Sequence, residues 1–108
     1  MLIDGDTYSD GELIAEGVRR LQLGTLIGAR TSGAGKWVND DKTLVDGSKV
    51  RIPESGSYII NDGKRRWVIE GDGVEPDIHV ENDPYLFYLG FDAQLQAAVD
   101  YAMGVPKQ

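Results

Sequence analysis

One short segment near the start of the chain limits the folds that it can adopt. This segment, Tyr8-Ser9-Asp10-Gly11-Glu12, lies between a brief apolar run, Leu2-Ile3, and an amphipathic run, 13–23. The order predicts a strand, a tight turn and a helix. Ser9 would then stand at the tip of the turn, either as a helix N-cap or as a nucleophile held above a sheet edge.

The composition bounds the class of protein. The 108 residues carry a formal net charge of −7, and no Lys or Arg lies between Trp67 and Pro106. Such a surface repels phosphate backbones, so we expect no nucleic-acid partner. The length allows one small domain, 1–108, and no apolar run is long enough to form a membrane segment. The absence of cysteine excludes disulfides and thiolate metal sites and fits a reducing compartment.

The apolar pattern predicts an α/β fold. Leu2-Ile3-Asp4 is typical of the end of a buried strand, 10–23 of a helix stopped by Gly24, and Thr25–Gly28 of a second strand. Short connections make this a right-handed crossover unit with parallel strands. The buried face of the helix is predicted to hold Leu13, Ile14, Gly17, Val18 and Leu21.

The middle of the chain predicts an antiparallel hairpin section. Asp46-Gly47 and Asn61-Asp62-Gly63 are tight-turn signals between β-prone runs. Pro53–Gly56 predicts another turn, and Lys64-Arg65-Arg66 a solvated one. The loop 30–35, rich in Gly, Ser and Thr, is expected to be mobile.

The last third predicts a short strand and a C-terminal helix. Ile78-His79-Val80 is a brief strand, and Tyr85–Leu89 is apolar and irregular. Asp92 is predicted to cap a helix that runs to about Met103.

Ser9 admits two interpretations from its pattern. Ser9-Asp10-Gly11-Glu12 matches a capping box, in which Ser9 and Glu12 satisfy each other's backbone donors. As a nucleophile, Ser9 would have the Asp10 N–H beside it as an oxyanion donor, but it would need a base. The single histidine, His79, is best interpreted as a solvent-facing strand residue, so a base would lie outside these residues.

The other candidate groups are carboxylates. Glu70 ends an apolar run beside Gly71-Asp72-Gly73, where it can orient a histidine or be a solvated edge charge. The acidic residues after it do not match an EF-hand, and neither a P-loop nor a dinucleotide fingerprint is present. We therefore expect no metal and no cofactor.

Four blocks, in order, give the chain a resemblance to a known family. They are Tyr8–Glu12, Leu23–Gly33, Glu70–Ile78, and Glu81-Asn82-Asp83-Pro84 followed by Asp92-Ala93-Gln94-Leu95. The chain resembles the C-terminal catalytic subdomain of the tricorn protease and carboxyl-terminal processing peptidase family, the tail-specific serine proteases. The resemblance implies part of a crotonase-like (Clp protease-like) spiral of strand–strand–helix turns, and that 1–108 is a fragment of a larger catalytic domain.

The resemblance also implies roles for individual residues. Ser9 would be the nucleophile, the Asp10 backbone N–H an oxyanion donor, and Glu70 the acid that supports a histidine from an upstream segment. The processing-peptidase branch uses a lysine base instead, whose position falls on Ala34, with Lys36 near but out of register. The tricorn-type arrangement is therefore favoured.

The expected function follows from these roles. It is a serine peptidase acting on peptides or unfolded proteins, inactive without the upstream segment of the same parent protein, with a homo-oligomer as a further expected partner. The alternative is a non-catalytic peptide-binding or assembly module with the same fold. Leu2-Ile3 and Leu26-Ile27 are expected to lack strand partners and to leave an exposed edge or apolar patch.

Overall fold

The computed structural model describes residues 1–105, with the side chains of all except residues 40, 41 and 61. In chain order the elements are β1 (Leu2–Ile3), α1 (Asp10–Arg20), β2 (Ile27–Gly28), β3 (Lys36–Thr43), β4 (Lys49–Gly56), β5 (Tyr58–Asn61), β6 (Lys64–Trp67), β7 (Ile78–His79), α2 (Pro84–Tyr88) and α3 (Ala93–Ala102). The mixed α/β class predicted from the sequence is confirmed.

A small parallel sheet, ordered β1-β2-β7, packs against α1 and contacts α3. β2 pairs in parallel with β1 on one side and with β7 on the other, which confirms the predicted parallel crossover. The expectation that Leu26-Ile27 would lack partners is wrong, because β7 provides the second neighbour and both residues are buried. The buried apolar core joins α1 to the sheet and consists of Ile3, Ala15, Leu26, Ile69 and Val74.

α1 ends earlier than predicted and by a different residue. It stops at Arg20, and Gln22 takes the left-handed conformation, φ 52°. The amide of Leu23 donates to the Val18 carbonyl at 3.0 Å and that of Gln22 to the Arg19 carbonyl at 3.2 Å, which is a Schellman ending. Gly24 lies beyond this motif and does not stop the helix.

The buried face of α1 also differs from the prediction. Leu13 and Val18 pack against the core as predicted, but Ile14 is 60% exposed and Leu21 is 70% exposed. The fully buried residues of the helix are Glu12, Ala15 and Glu16. The helix is turned so that its two glutamates face inward, where each meets hydrogen-bond donors. The buried face of α1 therefore combines apolar residues with two glutamates that the apolar spacing did not predict.

Two antiparallel hairpins form the middle of the chain. β3 pairs with β4 around the predicted Asp46-Gly47 turn, and β5 pairs with β6 around Asp62-Gly63. The predicted turn at Pro53–Gly56 is wrong, since β4 runs through Gly56. The register of this hairpin shifts beside Pro53, as expected for a residue that cannot donate to the ladder.

The three basic residues expected in a solvated turn are exposed, but they belong to a strand. Lys64, Arg65 and Arg66 lie on β6, opposite Asn61, Ile60 and Ile59 of β5. The tight turn takes up only the two residues before Lys64, so the basic residues continue the ladder.

The C-terminal segment is more regular than predicted. Asp83 accepts hydrogen bonds from the amides of Tyr85 and Leu86 and starts a short helix where irregular chain was expected. Asp92 caps α3 as predicted, and the amide of Leu95 together with the side-chain amide of Asn82 lowers the pKa of Asp92.

The chain is flat and open. Its accessible surface is 8,024 Å², against roughly 5,900 Å² for a compact monomer of its mass. Its radius of gyration is 17.5 Å, against about 13 Å for a compact domain of this length. In the part of the chain that the structure describes, no helix has both the length and the apolar character needed to cross a membrane.

Substitutions at two glycines can test how closely the segment of Gly73 packs against Thr31. Gly71 and Gly73 both have positive φ, but a Cβ on Gly73 would lie 2.4 Å from the Thr31 carbonyl oxygen, whereas one on Gly71 meets nothing. We expect Gly73→Ala to lower the free energy of unfolding by roughly 2–4 kcal/mol and Gly71→Ala by about 1 kcal/mol. Equal losses in denaturant titrations would contradict this packing.

Candidate active site

Ser9 occupies a strained turn between β1 and α1. Its backbone has φ 53° and ψ −121°, a conformation that residues other than glycine rarely adopt. The turn before it is fixed by Asp4, whose side chain accepts hydrogen bonds from the amides of Asp6 and Thr7 at 3.0 and 2.9 Å. The sharp strand-to-helix turn and the exposed serine at its tip correspond to the geometry of a nucleophile elbow.

Both contacts of the capping box are present at this turn. Ser9 and Glu12 occupy the two positions of the motif, and the Ser9 amide donates to Glu12 Oε2 at 3.1 Å. The Ser9 side chain contacts the Glu12 amide in the other half of the box, but that amide donates its hydrogen bond, at 2.9 Å, to the Ser9 carbonyl oxygen. The first turn of the helix therefore does not depend on the hydroxyl to satisfy this amide.

The amide of Asp10 has no hydrogen-bond acceptor among the described residues. The amides of Gly11, Glu12 and Leu13 all donate to the carbonyl oxygens of Tyr8 or Ser9, at 2.9–3.2 Å. The Asp10 amide donates to no acceptor within residues 1–105. It lies beside the Ser9 hydroxyl at a helix N-terminus, where unpaired N–H groups and the helix dipole favour negative charge.

A small, shallow groove lies next to Ser9. Its other lining residues come from α1, the loop after β2, the start of β3 and the segment after β6: Asp10, Leu13, Ala34, Gly35, Lys36, Trp37 and Ile69. Most of these residues are apolar or glycine. The polar side chains of the groove are those of Ser9, Asp10 and Lys36.

Glu70 lies next to this groove and is not a freely solvated edge charge. Its side chain is 28% exposed, and Oε2 accepts a hydrogen bond from the Gly35 amide at 2.9 Å. Oε1 lies 3.4 Å from Lys36 Nζ, which also stands over the Trp67 ring at 5.3 Å from its centroid. Glu70 thus contacts two residues that line the Ser9 groove.

His79 lies away from the groove, as the sequence predicted. It is exposed on β7, and its Nε2 is 3.4 Å from the exposed carboxylate of Glu81. The residues that line the groove include no histidine.

The loop after β2, expected to be mobile, is tied down. Thr31 is buried, and the carboxylate of Glu12 accepts hydrogen bonds from the Thr31 hydroxyl and from the amides of Gly33 and Ala34. Sequence reasoning used Glu12 only as a capping residue and did not find this contact, because the loop lies about twenty residues further along the chain. It also excluded Lys36 as the lysine base, because Lys36 does not align with that position, although Lys36 lines the groove.

Three comparisons identify the chain's relatives. Residues 1–80 match Peptidase family S41. The tricorn protease of Thermoplasma volcanium is 32% identical over 95 residues, which are 88% of this chain and 9% of that protein.

Solved structures agree with the sequence matches. The crystal structure of the tricorn protease matches 95% of this chain with a TM-score of 0.80 and 29% identity, and the match covers 10% of that chain. The photosystem II D1 C-terminal processing protease matches 74% with a TM-score of 0.51 and 27% identity, and the match covers 19% of that chain. The chain thus spans about a tenth of the tricorn proteins that it matches. These matches establish that the chain belongs to peptidase family S41, a family of serine proteases that includes the tricorn proteases.

Proposed function

We propose that this chain carries the nucleophile of a serine peptidase, with Ser9 as the attacking residue. The observation that carries the proposal is the combination at one turn of a strained, exposed serine, a Glu12 amide that donates to the backbone of Ser9, and an Asp10 amide without an acceptor in the described residues. An N-cap residue normally has an extended backbone, so capping does not account for the positive φ of Ser9. A nucleophile needs its hydroxyl free and an oxyanion donor next to it.

The reaction follows from these groups. The Ser9 Oγ forms a bond to the peptide carbonyl carbon as its proton passes to a base, and the Asp10 N–H donates to the resulting oxyanion. The C–N bond then breaks, the base returns the proton to the leaving amine, and an acyl-enzyme remains. Water, activated by the same base, hydrolyses this ester and regenerates Ser9.

The base in this scheme is a histidine from a segment upstream of this chain. Glu70 would orient that histidine and stabilise its charged form, as an acid partner does in other serine proteases. The half-buried position of Glu70 and its hydrogen bond from Gly35 support this role, since both hold the carboxylate beside the groove.

The chain would act as one part of a larger catalytic domain. Residues 1–108 would be a single unit within a crotonase-like spiral that also contributes the base and a second oxyanion donor. The open surface and the small core support this, because an upstream segment or a second copy in a homo-oligomer would cover exposed apolar residues. The substrate would be a peptide or an unfolded protein, and the chain alone would be inactive.

The competing function is a peptide-binding or assembly module without catalysis. The observation that favours it is that the residues lining the groove include no histidine. It differs from the first proposal in what Ser9 does, so Ser9 is the residue to test.

Covalent labelling gives the direct test of the nucleophile. The longest natural polypeptide that contains this chain should react with a fluorophosphonate at Ser9, and Ser9→Ala should abolish both the adduct and peptide hydrolysis. Peptide mapping by mass spectrometry locates the adduct. An adduct at another residue, or none on Ser9, would favour the non-catalytic module.

The stability of Ser9 variants gives a second, independent test of whether Ser9 is only a helix cap. Ser9→Ala should change the free energy of unfolding by less than about 0.5 kcal/mol, because the Glu12 amide keeps its hydrogen bond to the carbonyl oxygen of residue 9. Ser9→Gly should be about 1 kcal/mol more stable than Ser9→Ala, because glycine adopts this backbone conformation without strain. If Ser9 were only a cap, Ser9→Ala would lose about 1 kcal/mol.

The role of Glu70 is tested against a matched carboxylate. Glu70→Gln removes the charge but keeps an oxygen for the Gly35 amide, and we expect it to lower peptide turnover by about 10²-fold or more. Glu75→Gln is the control, since Glu75 is exposed and makes only a surface pair with Arg30. Equal turnover in the two variants would remove Glu70 from the catalytic machinery.

A further inference from the structure

Glu12 is a fully buried carboxylate near the N-terminus of α1. Its Oε1 accepts hydrogen bonds from the Thr31 hydroxyl at 2.6 Å and the Gly33 amide at 2.7 Å. Its Oε2 accepts from the Ala34 amide at 2.8 Å and the Ser9 amide at 3.1 Å. A buried charge is costly unless its hydrogen-bonding capacity is filled, and here four neutral donors fill it.

These bonds reach well beyond a helix cap. In a capping box the glutamate satisfies a single backbone donor, that of the N-cap residue. Here only one of the four donors belongs to the cap, and the other three belong to the loop 31–34. The carboxylate therefore joins the turn that carries Ser9 to the loop that lines the groove.

A second set of bonds extends the connection to the segment that carries Glu70. The Thr31 hydroxyl accepts a hydrogen bond from the Val74 amide at 2.7 Å while it donates to Glu12. The Thr31 amide donates to the Val74 carbonyl at 3.1 Å, and the Gly71 amide donates to the Gly33 carbonyl at 2.9 Å. The segments of Ser9 and Glu70, far apart in sequence, thus meet through Glu12 and Thr31.

We propose that Glu12 is a positioning residue, which sets the geometry of Ser9 and holds the Glu70 segment in register with it. The inference rests on the proposed role of Ser9 and adds a residue to that site. By accepting the Ser9 amide, Glu12 fixes the strained turn and leaves the next amide, that of Asp10, facing no acceptor within the described residues. A shift of about 1 Å at a reacting atom is enough to reduce a rate about 10²-fold.

Glu16 provides the matched control on the same helix. It is also buried, but both of its partners, Arg19 and Arg20, lie on α1 itself. Glu12→Gln and Glu16→Gln each remove one buried carboxylate charge from the same helix. Only the first change places an NH₂ group against N–H donors of the active-site loop.

The first readout is independent of catalysis. In amide spectra of this chain, Glu12→Gln should shift the resonances of Ser9, Gly33 and Ala34 and lower their protection from hydrogen exchange, whereas Glu16→Gln should leave all three unchanged. Unchanged resonances in Glu12→Gln would overturn the proposal, whether or not Ser9 is a nucleophile.

The second readout is the reactivity of Ser9 in the longest natural polypeptide that contains this chain. Glu12→Gln should lower the maximal rate of fluorophosphonate labelling by about 10–100-fold while changing the inhibitor's half-saturation concentration by less than about threefold. Altered amides with an unchanged labelling rate would make Glu12 structural only and overturn the proposal. If the wild-type polypeptide does not label at Ser9, the proposed function fails, and the positioning role built on it fails too, although the amide spectra still report the contacts.

A milder pair of variants covers the case in which Glu12→Gln does not fold. Thr31→Val keeps the shape of the side chain but removes the hydroxyl between Glu12 and Val74, whereas Thr31→Ser keeps that hydroxyl. We expect at least a tenfold slower labelling rate in Thr31→Val and a rate close to wild type in Thr31→Ser. Equal rates in the two variants would overturn the proposed connection.

Discussion

The hydrogen bonds to the Glu12 carboxylate are the interaction on which the site depends. The N–H groups of a polar loop must find acceptors when the loop is packed against a helix, and a helix side chain rarely offers two oxygens at the right place. Glu12 provides the acceptors for the loop, and the loop provides the donors that stabilise the buried carboxylate. Neither would be stable in this position alone, so the first turn of α1 and the loop after β2 form one unit.

Sequence reasoning succeeded where the signal is local. The parallel crossover, the turns at Asp46-Gly47 and Asp62-Gly63, and the cap at Asp92 each depend on a few adjacent residues, and each is confirmed. It failed where distant partners decide. The apolar spacing of α1 predicted Ile14 on the buried face, but it is exposed, and the buried Glu12 bonds to the donors of a loop about twenty residues away.

The same distinction explains what could be predicted of the site. Ser9, Asp10 and Glu70 could be named from local patterns and from resemblance, and their surroundings could not. The partners of Glu70 are Gly35 and Lys36, which reach it only because the chain folds back after β6. The small core has a comparable cause, since the hairpins turn apolar side chains such as Trp37 and Ile60 outward, where no described element covers them.

The contact of Glu12 with the loop has a consequence for how such a scaffold can change its chemistry during evolution. Position 34 is held through its backbone amide, while its side chain, only a methyl group in Ala34, lines the groove beside Ser9. The residue type at this position is therefore uncoupled from the anchoring of the loop. A single mutation of Ala34 could therefore place a longer or charged side chain in the groove. The hydrogen bond from the backbone amide of residue 34 to Glu12 would be kept.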